Sequence, residues 1–144
     1  MRIISCVITV FLLIGCGQTG GEEKIHLTID VKERDEQVEF IITLINGTEQ
    51  STQFEFRSAQ KYEIIIRNLD GKDIYKYSRE RMFIQMVEYL EVDANKKKTW
   101  REQWDYKDNN GNRVEKGTYE IEVMFLGKSE HIEHLWKKEK INIR

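Results

Sequence analysis

The sequence predicts an all-β domain in which antiparallel strands form a sandwich or a barrel. Apolar and polar residues alternate through much of the chain, as they do in strands that bury one face of a sheet. Turn-forming residues separate these runs at intervals of roughly 8–12 residues, which is typical of such folds. Helical spacing occurs only in residues 79–88, through Met82, Phe83 and Met86, and predicts one or two helical turns in a crossing loop.

The first two predicted strands, residues 25–31 and 38–44, alternate most regularly and should be neighbours. Five successive charged residues, 32–36, lie between them, and these predict a solvated turn. The dipeptide Asn46-Gly47 predicts the next turn, and a short strand follows around Phe54 and Phe56.

A hairpin is predicted in the middle of the chain. Residues 62–66 alternate again, Asp70-Gly71 offers the positive φ angles of a tight turn, and residues 74–77 form the returning strand. The remaining strands are predicted at residues 87–92, 99–104, 118–125 and 138–144. Because proline is absent, charged residues must protect the sheet edges, and the lysines of 96–98 and 137–140 are suited to that role.

The amino-terminal segment resembles the signal peptide of a bacterial lipoprotein. Arg2 lies in a short polar-basic region, and an apolar run from Val7 to Ile14 follows, within the roughly 7–15 residues expected of such a signal. This run is too short to span a bilayer, which takes about 20 apolar residues. Leu13-Ile14-Gly15-Cys16 looks like a lipobox. A buried first strand is the alternative, but it leaves the polar, glycine-rich stretch 17–23 unexplained.

This resemblance implies a division of the chain into three parts. Residues 1–15 are the signal peptide, residues 16–23 are the lipidated amino terminus and a flexible tether, and residues 24–144 are one folded domain. Lipid on Cys16 would anchor the protein to the extracytoplasmic face of the cell membrane, since two or more acyl chains bind firmly at about 0.8 kcal/mol per buried methylene.

Charge and cysteine content exclude several classes of function. The formal net charge is −2 and the acids and bases are interspersed, so no nucleic-acid partner is expected. The only cysteines are Cys6 and Cys16, which leaves the predicted domain without a disulfide, a cysteine metal site or a cysteine nucleophile. Neither a Gly-x-Ser-x-Gly elbow nor a phosphate-binding glycine loop occurs, so the domain is not expected to be an enzyme or to hold a cofactor.

Several short segments, in order and spacing, resemble the BsuPI-type intracellular proteinase inhibitor domain family. They are Ser58-Ala59-Gln60-Lys61-Tyr62, the strand 63–67, Asp70-Gly71-Lys72, the run 74–78, Phe83 with Gln85, and Gly117-Thr118-Tyr119. The resemblance covers about residues 24–125. Three turns depart from the family pattern: Ala59 replaces a glycine, Lys116 replaces a proline, and Asp93-Ala94-Asn95 replaces a Pro-Gly turn.

The resemblance implies an immunoglobulin-like antiparallel β-sandwich of about seven to nine strands, and a family whose name-giving member inhibits a serine proteinase. The founding activity is cytoplasmic, whereas the lipobox resemblance implies that this chain is exported, so we expect a different target. We therefore expect a membrane-anchored binding protein that inhibits a proteinase. The alternative is a structural or adhesive module of the cell envelope that binds another envelope protein.

One loop has the position and composition of a proteinase-binding loop. It consists of Ser78, Arg79, Glu80, Arg81 and Met82, lies between two predicted strands and contains bonds that basic-specific proteinases recognise. The sequence nevertheless favours an ordinary charged crossover loop, because no disulfide braces this segment and bracing lowers the ordering cost of binding. Residues 105–112 form a second candidate surface.

Two further segments contain residue types that bind metal ions. Residues 105–112 concentrate oxygen donors suited to calcium, but their spacing does not match an EF-hand, and a turn on Asn110-Gly111 is favoured. His131 and His134 would share one face of a helix as zinc ligands, but a third ligand is missing from the local pattern. A polar connection into the last strand, with room for a helical turn, is therefore favoured, and no metal is expected.

Overall fold

The computed structural model describes residues 24–144, and in this range the chain forms nine β-strands and one short 3₁₀ turn. The strands are β1 (Ile25–Glu33), β2 (Val38–Asn46), β3 (Thr52–Phe56), β4 (Tyr62–Asn68), β5 (Asp73–Lys76), β6 (Glu88–Val92), β7 (Lys97–Trp104), β8 (Gly117–Phe125) and β9 (Leu135–Ile143). The 3₁₀ turn is Tyr77–Glu80. All nine predicted strands are therefore present, with shifted ends.

The strands form two main sheets and a separate pair, and every pairing is antiparallel. One sheet has the order β1-β2-β7, the other has the order β5-β4-β8-β9, and β3 pairs with β6. An immunoglobulin domain has A, B and E adjacent in one sheet and G, F, C and C′ in the other. In this protein β1, β2 and β7 correspond to A, B and E. The strands of the second sheet correspond in the same way: β9 to G, β8 to F, β4 to C and β5 to C′. The predicted immunoglobulin-like sandwich is therefore confirmed.

The core lies between the two sheets and follows from the alternation in the sequence. In β2, the side chains of Val38, Phe40, Ile42 and Leu44 are buried while the intervening residues are partly exposed. In β8, every second residue from Tyr119 to Phe125 is buried in the same way. A period of two places one apolar row of each strand on the inner face, as predicted.

A tyrosine corner closes the start of β8. The hydroxyl of Tyr119 donates a hydrogen bond to the carbonyl oxygen of Glu115, at 2.8 Å. Immunoglobulin-like sandwiches place a tyrosine at the start of strand F with this bond to upstream backbone. The feature independently identifies β8 as strand F.

The predicted turns are confirmed, including one of those that depart from the family pattern. Gly71 adopts a φ of 81° in the hairpin between β4 and β5. Asn95 has a φ of 57° in the turn before β7. Asparagine tolerates this left-handed conformation better than other non-glycine residues, so Asp93-Ala94-Asn95 can make a turn without the Pro-Gly pair.

Two sequence predictions are wrong in their details. The expected helical turns in residues 79–88 are absent: the 3₁₀ turn lies earlier, at Tyr77–Glu80, and residues 81–87 have no regular secondary structure. The last strand begins at Leu135 rather than at residue 138, because β9 follows the full length of β8 and pairs Leu135 with Phe125.

Lysines lie on exposed sheet edges as predicted. Within residues 24–144, β7 and β9 are edge strands of their sheets. Lys97 and Lys98 are in β7, and Lys137, Lys138 and Lys140 are in β9. Charged side chains on an edge strand oppose pairing with another chain.

The predicted signal peptide, Cys16 and the tether lie outside the described residues. In the part of the chain that the structure describes, no helix has the length and apolar character needed to cross a membrane.

Candidate protein-binding site

The segment between β5 and β6 crosses from one sheet to the β3–β6 pair and contains the predicted binding loop. We call residues 77–87 the crossover segment. It begins with the 3₁₀ turn Tyr77–Glu80 and continues without regular secondary structure to β6. Ser78, Arg79, Glu80, Arg81 and Met82 lie in its first half.

Two polar side chains from elsewhere in the fold hold the start of the crossover segment. Glu63 of β4 is only 6% exposed, and its Oε1 atom accepts a hydrogen bond from the backbone N–H of Ser78, at 3.0 Å. Asn109 donates from Nδ2 to the carbonyl oxygen of Lys76, at 3.1 Å, and to Glu80 Oε1, at 3.0 Å. Its Oδ1 atom accepts from the N–H of Lys76, at 2.7 Å. The 3₁₀ turn is thereby fixed from both sides.

Arg81 points back toward the domain rather than into solvent. Its guanidinium carbon lies 3.8 Å from the centre of the Tyr77 ring, a cation–π contact. Its Nη1 atom donates to the hydroxyl of Tyr75, at 3.2 Å, and to the carbonyl oxygen of Tyr77, at 3.3 Å. Its Nη2 atom is 3.8 Å from Glu102 Oε2. Arg81 therefore braces the segment.

Glu102 collects hydrogen bonds from two tyrosines beneath the crossover segment. Its Oε1 atom accepts from the hydroxyl of Tyr62, at 2.5 Å, and from that of Tyr77, at 2.8 Å. Burial and then the hydrogen bond to Glu102 raise the pKa of Tyr77 to about 12. The same causes raise the pKa of Tyr62 far above its usual value. Both phenols therefore stay protonated and donate to the carboxylate.

In the second half of the segment only Phe83 packs inward, and the other side chains are exposed. Met82 is fully exposed (101%), whereas Phe83 packs inward, with its ring centre 5.9 Å from that of Tyr77. Ile84 is 70% exposed, and its carbonyl oxygen accepts a hydrogen bond from the N–H of Ala59, at 2.9 Å. An ion pair between Lys61 and Glu88 lies where β6 begins.

The crossover segment presents an ordered backbone, extended at Arg81, with apolar side chains in solvent. The sequence argument against a binding loop depended on the absence of a disulfide brace. Hydrogen bonds to Ser78, Glu80 and Ile84, together with the Arg81 contacts, supply bracing without one. A segment that is ordered before binding loses less conformational entropy when a partner binds it.

Sequence reasoning missed the residues that hold this segment. The sequence predicts no role for Glu63 or Glu102, and it includes Asn109 only within the oxygen-rich loop 105–112. One signal was present for Glu102, because it lies between Trp100 and Trp104 at a spacing of two and must share a strand face with them. Asn109 comes from a loop 33 positions beyond Lys76, and the sequence contains no signal for that contact.

The two segments considered as metal sites have other structures. Asp108 accepts hydrogen bonds at Oδ1 from the N–H groups of Asn110 and Asn112, at 2.8 and 2.9 Å, and these bonds lower the pKa of its carboxyl. Gly111 has a φ of 83°, so the predicted turn is confirmed. His131 lies in a turn closed by the pairing of Ser129 with Ile132, and His134 lies directly before β9, so neither is on a helix. Among residues 24–144, no group of three or more histidine, cysteine, aspartate or glutamate residues is arranged to hold a metal ion.

Comparison with solved structures gives distant likenesses. A CARDB domain from Pyrococcus furiosus, solved in complex with di-metal ions, has a TM-score of 0.46 and 11% identity over 85% of this chain and 90% of that one. The alkylpurine DNA glycosylase AlkC of Pseudomonas fluorescens, bound to DNA containing an abasic site analog, has a TM-score of 0.46 and 11% identity over 87% of this chain and 32% of that one. The β-glucosidase of Kluyveromyces marxianus, in complex with glucose, has a TM-score of 0.48 and 17% identity over 83% of this chain and 14% of that one.

This chain spans about a third of the glycosylase and about a seventh of the glucosidase. The activities of those enzymes are therefore not attributed to it. No curated protein matches the sequence.

A family model gives the more specific result. The model described as BsuPI, intracellular proteinase inhibitor, matches residues 25–130, which include all of the crossover segment and the strands β1 to β8. The match covers most of the chain and agrees with the resemblance seen in the segments around Tyr62, Asp70-Gly71, Phe83 and Gly117-Thr118-Tyr119. The chain belongs to the BsuPI family of intracellular proteinase inhibitors.

Proposed function

We propose that this protein is a membrane-anchored extracytoplasmic lipoprotein whose sandwich domain binds and inhibits a serine proteinase through the crossover segment. Family membership supports an inhibitor-like domain. The lipobox-like sequence ending at Cys16 supports export and lipidation. Export separates this chain from the intracellular setting in the family description, so the target is a proteinase outside the cytoplasm.

The observation that carries the proposal is the braced, exposed backbone of the crossover segment. A substrate-like inhibitor must offer an extended segment that enters the proteinase cleft without first paying the entropy of becoming ordered. Arg81 has extended backbone angles, φ −132° and ψ 146°, and its side chain is held by Tyr75 and Tyr77. Directly after it, Met82 is exposed. The segment therefore meets both requirements: its backbone is ordered and the side chain of Met82 is accessible to a partner.

Inhibition is tested by titrating the full-length protein, kept soluble in detergent, into a panel of serine proteinases that includes secreted subtilisin-like enzymes. Cleavage of a small chromogenic substrate is followed, and a gel shows whether the chain stays intact. We expect saturable inhibition of at least one enzyme at near-equal stoichiometry. No inhibition anywhere in the panel would instead favour the structural or adhesive envelope module.

Two arginine variants show, in the same assay, whether a loss of inhibition comes from the crossover segment or from removing any arginine of the domain. Arg81→Ala removes the brace, so the segment must be ordered on binding and the inhibition constant should rise about tenfold, equivalent to about 1.4 kcal/mol. Arg101→Ala is the matched control, because Arg101 forms an ion pair with Glu39 of the neighbouring strand β2 and lies on the face of β7 opposite to that of Glu102. Equal effects of the two variants would show that the crossover segment is not the binding site.

A further inference from the structure

We propose that Met82 occupies the primary specificity pocket of the target, and hence that the target is a serine proteinase selective for large apolar side chains. This inference rests on the proposed function and specifies its partner. The sequence alone favoured basic-specific enzymes, because Arg79 and Arg81 are the conspicuous residues of the loop. The geometry excludes both arginines as the residue that enters the specificity pocket, and Met82 is the residue that fits this role.

Arg79 has the wrong backbone for a residue at the cleavage position. It lies inside the 3₁₀ turn Tyr77–Glu80, whose backbone N–H groups and carbonyls point along the turn. A peptide that adds to a proteinase cleft as an extended strand must direct those groups sideways toward the enzyme. Unwinding the turn would break the hydrogen bonds that Ser78 makes to Glu63 and that Glu80 makes to Asn109.

Arg81 has extended backbone, but its side chain is already bound within the domain. Only 34% of the side chain is exposed, and the guanidinium stacks on Tyr77 while donating to the hydroxyl of Tyr75. Entering an acidic pocket would require Arg81 to leave both aromatic rings and would take its positive charge away from Glu102. Arg81 is therefore a positioning residue for its neighbour.

Met82 meets the requirements that the arginines fail. It follows a residue with extended backbone angles, and its side chain has no shielding from the rest of the domain. Phe83 is packed inward beside it, and the carbonyl of Ile84 is fixed by Ala59, so the backbone on the carboxyl side of Met82 is also held. An unbranched thioether side chain adapts to the shape of an apolar pocket.

The surroundings of Met82 favour an apolar partner surface. Ile84, Met86 and Val87 are also exposed on the same segment, at 70%, 47% and 57%. Exposed apolar residues that cluster in this way mark an interaction surface more often than an inert one. Residues that flank the cleavage position of a bound strand contact the enzyme beside its primary pocket, so this run extends the same interface.

The test compares full-length wild-type protein in detergent with a charge-introducing variant against two kinds of enzyme. A chymotrypsin-like or subtilisin-like proteinase represents apolar selectivity, and trypsin represents basic selectivity. We expect the wild-type protein to inhibit the apolar-selective enzyme at least about 100-fold more strongly than trypsin. Met82→Lys should lose about 100-fold in potency against the apolar-selective enzyme, because a charge must be buried in its pocket, and should gain inhibition of trypsin.

Leu69→Lys is the matched control, since it places the same charge at an exposed apolar residue of the β4–β5 hairpin, outside the crossover segment, and should change potency by less than about threefold. Met82 and Leu69 are both exposed, so neither variant disturbs the core, and equal thermal unfolding midpoints verify this.

The failures of the two proposals are distinguishable. If the wild-type protein inhibits an apolar-selective enzyme but Met82→Lys is equally potent, the Met82 assignment is wrong while the inhibitor function stands. If the wild-type protein prefers trypsin and Arg79→Ala abolishes that inhibition, Arg79 is the specificity residue and the Met82 assignment is again overturned. If no enzyme is inhibited by the wild-type protein, both proposals fail.

Discussion

Asn46 is the most completely buried polar residue among those that the structure describes. Its Nδ2 atom donates to the carbonyl oxygens of Gln50 and Val92, both at 2.9 Å, and to that of Asp93, at 3.2 Å. Its Oδ1 atom accepts from the N–H and the hydroxyl of Thr48, at 3.0 and 2.7 Å. One side chain thereby joins the turn after β2 to the end of β6.

Replacing Asn46 with alanine should destabilise the domain by about 2–4 kcal/mol, because backbone carbonyls buried around it would lose their donor. Chemical denaturation of the purified variant measures this difference. Asn142→Ala is the matched control, since Asn142 is exposed on β9, and it should change stability by less than about 0.5 kcal/mol. A similar loss in both variants would show that the Asn46 hydrogen bonds contribute no net stability.

The alternation that predicted the core also contains the position of Asn46. Buried residues of β2 occur at every second position from Val38 to Leu44. The next position in this series is Asn46, which is also buried. The sequence interpretation used Asn46-Gly47 only as a turn signal. Glu63 had no such signal: residues 62–66 are all buried, so burial in β4 does not follow the alternation that marks the inner face of β2 and β8.

At the scale of elements, the crossover segment shows why helical spacing misled. Met82, Phe83 and Met86 have the spacing of one helix face, but an amphipathic helix needs that face buried. Only Phe83 packs against the core, whereas Met82 and Met86 are exposed. The apolar residues of this segment therefore do not form one buried helix face. The spacing of apolar residues in the sequence does not show whether those residues are buried. The sequence placed the candidate loop but not the roles of Arg81 and Met82 within it.

Glu102 connects elements from both sheets. It lies on β7 of one sheet and accepts hydrogen bonds from Tyr62 on β4 of the other sheet and from Tyr77 in the 3₁₀ turn. Because the neutral phenols are the donors, ionising either tyrosine would remove a donor and place a second negative charge beside the carboxylate. This contact should fail at alkaline pH.

The free energy of unfolding should therefore fall as the pH rises above about 10. An unfolded tyrosine loses its proton near pH 10, whereas the pKa of Tyr77 in the fold is about 12, so in this window the folded state binds more protons than the unfolded state. Stability is fully present below pH 10 and falls by up to about 1.4 kcal/mol per pH unit for each such tyrosine. Tyr62, whose pKa is raised in the same direction, adds to the slope.

Denaturant titrations at pH 8, 10 and 11 measure this slope. The double variant Tyr62→Phe, Tyr77→Phe should be less stable at pH 8, since Glu102 loses two donors, but its stability should fall less steeply above pH 10. Tyr89→Phe is the control, because Tyr89 is an exposed tyrosine, and it should keep the wild-type slope. An unchanged slope in the double variant would contradict the proposed protonation states.

At the scale of the whole molecule, most of the fold was predictable because it depends on local patterns. Period-two alternation located the strands, and turn residues such as Asp70-Gly71 located the hairpins. The layout of the sheets depends on contacts far apart in sequence, for example the pairing of β2 with β7, and only the family resemblance supplied it. The same limit applies to the binding site, whose braces come from β4, β7 and the loop containing Asn109.

The location of the molecule depends on its amino-terminal residues, which lie outside the described range. If Leu13-Ile14-Gly15-Cys16 is a lipobox, the thiol of Cys16 is the only point of lipid attachment in the sequence, since Cys6 leaves with the signal peptide. Two or more acyl chains then hold the protein at the membrane, because one chain alone binds only marginally. Under that assignment the sandwich would need no membrane-binding surface of its own.

Cys16→Ser should therefore abolish lipidation, while Cys6→Ser should leave it intact. The measurement expresses each full-length variant in a bacterial host supplied with a radiolabelled fatty acid and follows the label and the membrane fraction. The two variants make the same chemical change ten positions apart, so a difference between them identifies the modified thiol rather than a general effect of losing a cysteine. Label retained in Cys16→Ser, or wild-type protein that carries no label and starts at Met1 in the cytoplasmic fraction, would overturn the lipoprotein assignment. In that case the proteinase target would have to be sought inside the cell, where the family description places its members.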